Sequence, residues 1–267
     1  MKKLFLTLIL SLALFHDAPA HACGADSDCL VGDRSYRIRL PETNENSTIG
    51  ALIYAHGFKG SPRGTMRNAS LEKLANKLGI ALVALDSKGP DWSIPGVPSD
   101  SAIPGLDESK YLDAVRADII ERFAIDETKL VVSGFSAGGM LTWHVACTRP
   151  QDYLGFIALS GTFWEPIPDR CKTPATSIVH IHGTADRIVP LAGRVIKDTK
   201  QGNIEEALEM YRDTNGLSSY KAPEISNGLS CDAWKGEAPA MLVKCLHGGG
   251  HSFKAEYIEG AWRFLTR

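Results

Sequence analysis

Several things are missing from this chain of 267 residues, and each absence narrows what it can be. There is no basic stripe: 29 Lys and Arg are scattered among 31 Asp and Glu, for a formal charge of −2, so nucleic acid is excluded as a partner. No apolar run reaches the ~20 residues of a membrane-spanning helix, which excludes a stable span. No Cys-x-x-Cys pair occurs, so the six cysteines match no zinc pattern. No internal repeat, low-complexity tract or linker divides the chain, and with 44% hydrophobic and 22% charged residues one α/β domain with one large core is sufficient.

The first 22 residues do carry a pattern. Lys2 and Lys3 precede an apolar run from Leu4 to Phe15, and the small residues Ala18, Ala20 and Ala22 follow. This is the layout of a secretory signal peptide over residues 1–22, with cleavage after Ala20 or Ala22, and it implies a secreted or periplasmic protein whose mature domain is 23–267. A lipid anchor on Cys23 is a third option, although lipoprotein signals usually have a larger aliphatic residue where Ala20 stands. The six cysteines, at 23, 29, 147, 171, 231 and 245, are an even set in an exported chain and imply disulfides. Proximity favours Cys23 with Cys29 and Cys231 with Cys245, leaving Cys147 with Cys171.

Past the signal, "SYRIRL" alternates as a half-exposed strand does, whereas "ALIYAH", "IALVAL", "KLVVSG", "GFIALS", "SIVHIH" and "AMLVKCL" are short apolar runs suited to strands covered on both faces. Between them Leu71, Leu74, Ala75 and Leu78, then Leu112, Val115, Ile119 and Phe123, fall at helical spacing, and Gly79 stands where the first helix should stop. A last helix carries Tyr257, Ile258, Trp262 and Leu265. Strands alternating with helices predict a mostly parallel sheet with helices on both faces. Residues 89–105, rich in Pro and Gly, read as a surface loop over one end of the sheet.

Gly134-Phe135-Ser136-Ala137-Gly138 joins an apolar β-branched run to a helix-forming one. Gly-x-Ser-x-Gly in that setting is a nucleophile elbow, in which the serine takes a strained backbone conformation and the glycines let neighbouring backbone pass. A serine hydroxyl needs a base in hydrogen-bond reach and an acid to orient that base, here in the order serine, acid, histidine. Asp186 in "HIHGTADRIVP" lies just beyond a buried strand, with Asp213 in reserve. His251 and His247 share "LHGGGHSF", and His251, deeper in the loop, is the candidate base. His180, His182 and His144 read as core or helix residues. Oxyanion donors are expected at the backbone N–H of Ala137 and, from "HGFKGS", of Phe58.

"AHGF", "DETKLVVSGFSAGGM", "IHGTADRIVP" and "HGGGHSF", in this order, resemble the polyhydroxybutyrate depolymerase and feruloyl esterase group of secreted α/β-hydrolases, from about Ser35 to the C-terminus. The resemblance implies the α/β-hydrolase fold, Ser136 as nucleophile, Asp186 as acid, His251 as base and oxyanion donors at Phe58 and Ala137. The chain departs from the group at Ser252 and Phe253, where members often have Trp-Pro, and at Phe58, where many have Cys; these positions touch substrate choice rather than the reaction.

Only residues 161–176 separate two of the expected strands, which leaves no room for a large lid. An open cleft suits a polymeric ester substrate, and Trp92, Phe163 and Trp164 are candidates for stacking on a sugar or aromatic acyl group, or for packing at the rim. The expected activity is serine-esterase hydrolysis through an acyl-enzyme, without metal or organic cofactor, on polyhydroxyalkanoate or on feruloyl or acetyl polysaccharide esters. A peptidase of the prolyl-oligopeptidase type and a non-catalytic binding protein on a hydrolase scaffold are the alternatives.

Overall fold

The computed structural model describes residues 23–42, 48–172, 174–237 and 240–267; the expected signal peptide, 1–22, lies outside the described residues. In chain order the elements are β1 (Cys29–Val31), β2 (Arg34–Arg39), β3 (Ile49–Ala55), α1 (Pro62–Met66), α2 (Ala69–Leu78), β4 (Ala81–Leu85), α3 (Glu108–Arg122), β5 (Ile125–Phe135), α4 (Ala137–Thr148), β6 (Gly155–Leu159), β7 (Ser177–Gly183), β8 (Val195–Ile196), β9 (Thr199–Lys200), α5 (Ile204–Asn215), β10 (Ser218–Tyr220), β11 (Ser230–Lys235), β12 (Met241–His247) and α6 (Ala255–Leu265).

Ten strands form one sheet in the order β1-β2-β4-β3-β5-β6-β7-β12-β11-β10. From β4 to β12 all neighbours are parallel, and antiparallel β2 and β11 flank them. The two faces follow from the two-residue period of a strand. Ile53, Val83 and Val132 turn toward α3, α4 and α5, whereas Leu52, Leu82 and Val131 turn toward α2 and α6. Because both faces are covered, β3, β4 and β6 are buried at every position. The expected helix at 71–78 begins at Asn68, whose side chain accepts from the N–H of Ser70 and Leu71, and stops at Gly79 with φ 64°.

All six cysteines are paired, as Cys23–Cys29, Cys147–Cys171 and Cys231–Cys245. The last pair bridges directly opposed residues of β11 and β12. A sulfur engaged in a disulfide has no valence for a thioether, so this pairing and lipidation of Cys23 are mutually exclusive.

The stretch 89–105 corrects its reading as a surface loop. Trp92 is fully buried, and Asp91, Ile94 and Val97 are buried with it. The Trp92 Nε1–H donates to the His56 carbonyl at 2.9 Å, and its ring lies against the imidazole at 4.9 Å between centroids. Behind it the Ser93 N–H donates to Glu108, which is ion-paired with buried Arg34 at 2.7 Å. The tryptophan's apolar area and its one donor are both satisfied only inside, and this outweighs the loop-like composition.

Asp91 carries a cost for this arrangement. Burial raises its carboxyl pKa to about 6, against the Trp92 N–H, which lowers it, while the nearby Glu108 charge adds to the rise. A carboxyl raised in the folded state stabilises the fold fully below its unfolded value of about 4, and that stabilisation is lost as pH rises through 6. Asp91→Asn, which keeps the acceptor oxygen, should therefore gain stability over the parent by roughly 2–3 kcal/mol at pH 8 and nearly nothing at pH 4, at ~1.4 kcal/mol per pKa unit. Denaturant midpoints across that pH range measure the difference.

Candidate active site

The elbow forms where β5 ends and α4 begins. Ser136 has φ 59° and ψ −119°, a conformation that costs about 1–3 kcal/mol for a residue with a Cβ. It persists because the surrounding backbone fixes it: the Ser136 N–H donates to the Leu159 carbonyl at 2.8 Å, and its carbonyl accepts from the Met140 N–H at 3.0 Å. The flanking glycines are required by contact. A Cβ on Gly134 would stand 2.2 Å from the Gly138 carbonyl oxygen, and one on Gly138 would stand 2.0 Å from that of Ala55.

Asp186 lies three residues past the end of β7. Its Oδ1 accepts from the N–H of Ile188 at 2.8 Å and of Val189 at 2.9 Å, and its Oδ2 lies 2.7 Å from His251 Nδ1. Burial pushes the carboxyl up, but the His251 hydrogen bond and the Val189 and Ile188 amides more than offset it, and the net shift is below the ordinary value. Two backbone bonds tie this loop to the one after β12, from the Thr184 N–H to the His247 carbonyl and from the Ala185 N–H to the Gly249 carbonyl. The two loops approach so closely that a Cβ on Gly183 would lie 2.3 Å from the Gly250 carbonyl oxygen.

Of the two histidines in "LHGGGHSF", His251 reaches the carboxylate and His247 does not. His247 ends β12 and accepts the Gly249 N–H on its own Nδ1 at 3.1 Å, closing the turn. The His251 ring rests on Phe135, the neighbour of Ser136, at 4.6 Å between centroids. Phe253 joins this cluster, its ring centroid 5.0 Å from that of Phe135 and 6.3 Å from that of Tyr54. The Ser136 hydroxyl makes no hydrogen bond to His251, a looseness common in such sites before substrate tightens them. The reserve aspartate, Asp213, sits in the last turn of α5.

The loop after β3 lies against the serine, since a Cβ on Gly57 would meet Ser136 Cβ at 3.4 Å. It is held by the Lys59 N–H donating to Pro90 at 2.7 Å and by the Gly60–Gly57 turn. The N–H groups of Phe58, directly after Gly57, and of Ala137, directly after Ser136, donate to no described residue. The Phe58 side chain is 52% exposed on this rim.

The three aromatic candidates separate. Trp92, with no exposed surface, cannot stack on a substrate; it props the His56 loop from behind. Phe163 and Trp164 are nearly buried and wall a cavity of about 320 Å³ beside α4, together with Ile94 and His144. The Trp164 Nε1–H is buried there without a protein acceptor. One neighbour of the site was not anticipated: His182 Nε2 lies 3.3 Å from Asp186 Oδ2. Its signal was present, because His180 and His182 alternate on one face of a strand and His182 precedes the acid by four residues.

A family model described as phospholipase/carboxylesterase matches residues 103–215, which include Ser136 and Asp186. The chain is 23% identical to feruloyl esterase C of Emericella nidulans, over 73% of each protein. It is 23% identical to the bifunctional acetylxylan esterase/xylanase XynS20E of Neocallimastix patriciarum over 81% of its own length, and spans 31% of that larger protein. Among solved structures, the acetyl xylan esterase from Aspergillus awamori superposes with a TM-score of 0.60 at 14% identity, covering 86% of this chain and 94% of that one. The shared fold is the α/β-hydrolase fold.

Gly138→Ala tests the elbow's packing. With a Cβ forced to 2.0 Å from backbone, the variant should lose roughly 3 kcal/mol or more in denaturant unfolding, beyond the ordinary range for a single substitution.

Proposed function

We propose that this chain, a carboxylic ester hydrolase similar to the feruloyl esterase group, is an exported serine esterase working through Ser136, His251 and Asp186. The observation that carries the reading is the 2.7 Å contact between His251 Nδ1 and Asp186 Oδ2, beside a serine held at φ 59°. With the Nδ1–H donated to the carboxylate, Nε2 carries the lone pair that accepts the Ser136 proton. The serine oxygen then bonds to the ester carbonyl carbon, and the charge on the carbonyl oxygen is met by the N–H groups of Phe58 and Ala137. Collapse of this intermediate breaks the bond to the alcohol, which leaves with the proton from His251. A water deprotonated by His251 attacks the acyl-enzyme, and the carboxylic acid and free Ser136 are regenerated.

For the substrate we favour a feruloyl or acetyl ester on polysaccharide, the ester classes named in the similar proteins, with polyhydroxyalkanoate oligomers as the competing class. Phe163 and Trp164 are assigned to the acyl or sugar portion through their cavity, which also touches His144 on α4, the helix that begins at the elbow. Export, with residues 1–22 as the signal and 23–267 as the mature catalytic domain, is supported by three disulfides, which persist in oxidising compartments.

A fluorophosphonate probe should label the wild type on Ser136 and leave Ser136→Ala unlabelled, with Ser136→Ala losing at least ~10³-fold in kcat on p-nitrophenyl acetate. Labelling elsewhere, or none on folded protein, would leave the non-catalytic binding reading standing. In a side-by-side assay on methyl ferulate, acetylated xylan, hydroxybutyrate oligomers and a peptide anilide, one of the first two should turn over fastest. Cleavage of the anilide alone would move the protein to the peptidases.

A further inference from the structure

Behind Asp186, away from His251, a row of buried polar side chains runs into the core. Trp143 Nε1 of α4 lies 3.1 Å from His180 Nδ1. His180 Nε2 lies 3.2 Å from His182 Nδ1, the two rings stacked at 5.3 Å. His182 Nε2 lies 2.8 Å from the Val189 carbonyl oxygen and 3.3 Å from Asp186 Oδ2. His180 and His182 are fully buried and Trp143 is 1% exposed, so no solvent competes for these contacts.

The direction of every bond follows from the first. An indole N–H donates and cannot accept, so His180 Nδ1 must be the acceptor and its proton sits on Nε2. That proton faces His182 Nδ1, which must in turn accept, leaving the His182 proton on Nε2. There it donates to the Val189 carbonyl, with the Asp186 carboxylate 3.3 Å away outside hydrogen-bond geometry. The opposite tautomer of His182 would aim a lone pair at the carbonyl oxygen. Each imidazole is thus neutral and each N–H points toward Asp186. Burial lowers the pKa of both rings, that of His180 further because a second proton there would face the neighbouring His182 ring and the Lys244 ammonium. The Val189 carbonyl and Asp186 oppose the shift at His182, whereas His251 and His247, which also face it, add to it.

We propose that His182 is a positioning residue for Asp186, held by Trp143 through His180 in the tautomer whose Nε2–H fixes the Val189 carbonyl, and with it the peptide segment whose Val189 N–H donates to the carboxylate. The proposal rests on the triad reading above. With His182 in place, the Val189 carbonyl is anchored on one side while the N–H groups of Ile188 and Val189 hold Oδ1 and His251 holds Oδ2, so the carboxylate plane is set by three donors on a fixed loop. A neutral ring fixes this loop, and with it the Val189 N–H donor, without cancelling the charge that His251 needs opposite it during the reaction. Losing the donor concentrates that charge on His251, favours its imidazolium form and raises the pH at which activity falls off in acid.

The test combines spectroscopy with kinetics on the full mature chain. Long-range 15N–13C imidazole correlation spectra of the wild type should show His180 and His182 protonated on Nε2 and untitrated across roughly pH 5–8, the window in which an ordinary histidine changes charge. In Trp143→Phe the fixed pattern should be lost. His182→Leu should lower kcat on p-nitrophenyl acetate roughly tenfold with KM little changed, about the effect of losing the Val189 N–H bond to the charged carboxylate, and move the acid limb of kcat/KM up by about half a unit. His182→Gln, whose amide N–H can reach the Val189 carbonyl, should restore both. Rates are normalised to fluorophosphonate-titrated sites, so misfolded protein does not count. Should His182→Leu not fold, the wild-type, Trp143→Phe and His182→Gln measurements decide. A wild-type His182 protonated on Nδ1 or charged would overturn the proposal, as would an acid limb unmoved in His182→Leu while the wild type is labelled at Ser136. A wild type that is not labelled overturns the triad reading and this proposal with it.

Discussion

Four chain segments meet at one rim of the sheet because no Cβ stands between them. The elbow crosses its own helix at Gly134 and Gly138, Gly138 touches the end of β3, and Gly161 presses on the Ser136 carbonyl, where a Cβ would come within 2.3 Å. Gly183 lets the Asp186 loop lie against the glycines before His251. Each of these contacts is backbone on backbone. They are therefore insensitive to rotamer choice, and they hold Ser136, the loop at Gly57 and the loops that carry Asp186 and His251 at one rim of the sheet with little freedom to drift. The strained φ of Ser136 is a consequence of this packing, sustained by bonds from Leu159 and Met140 rather than by its own preference.

The parts of the molecule that rest on such local rules were legible in the sequence. The apolar runs of β3, β4, β6 and β7 were plain because strands buried on both faces cannot alternate, and α2 was bounded by its own cap glycine. The cysteine pairing followed from proximity along the chain, since two pairs are close in sequence and the third was left over. The far edge of the sheet was not legible. β10 is exposed throughout and reads "SSY", and β11 reads "SCDAWK", where Ala233 and Trp234 are buried among charged and polar neighbours. Nothing local marks such a strand; its register is set by β12 and by the Cys231–Cys245 bridge.

Trp92 and His182 illustrate a second kind of illegibility. Trp92 lies in a stretch read as a surface loop that proves partly buried, and His182 in one read correctly as a strand, yet the work of each is defined by a partner distant in sequence. Trp92 finds the His56 carbonyl 36 residues away. His182 is fixed by Trp143 through His180, 37 residues from that indole. Pattern and propensity describe a residue's neighbours along the chain, while the donor inventory of a buried side chain describes what it must find across space. The same accounting separates His251 from His247: the loop offered two imidazoles, and only the one whose Nδ1 was not already accepting the Gly249 N–H was available to Asp186.

The chemistry of the donors around Asp186 explains why the row behind it is built from neutral groups. A lysine or arginine at position 182 would also hold the Val189 carbonyl, but its full charge beside Asp186 would compensate the carboxylate permanently and weaken the pull on an imidazolium at His251. Backbone amides and neutral imidazoles supply hydrogen bonds while leaving the net charge at −1. Such donors must be held in one orientation, because a histidine that can flip its tautomer turns from donor to acceptor at the same atom. An indole, which has no acceptor form, is the simplest terminus that removes this freedom, and its burial between Phe163 and Tyr211 at 5.6 and 5.8 Å keeps it from turning away. The wall of the cavity proposed for substrate thus begins at the aromatic cluster that closes the row, with Phe163 common to both. A bulky substitution at Phe163 therefore acts on two neighbours at once, the cavity and the indole that sets the tautomers.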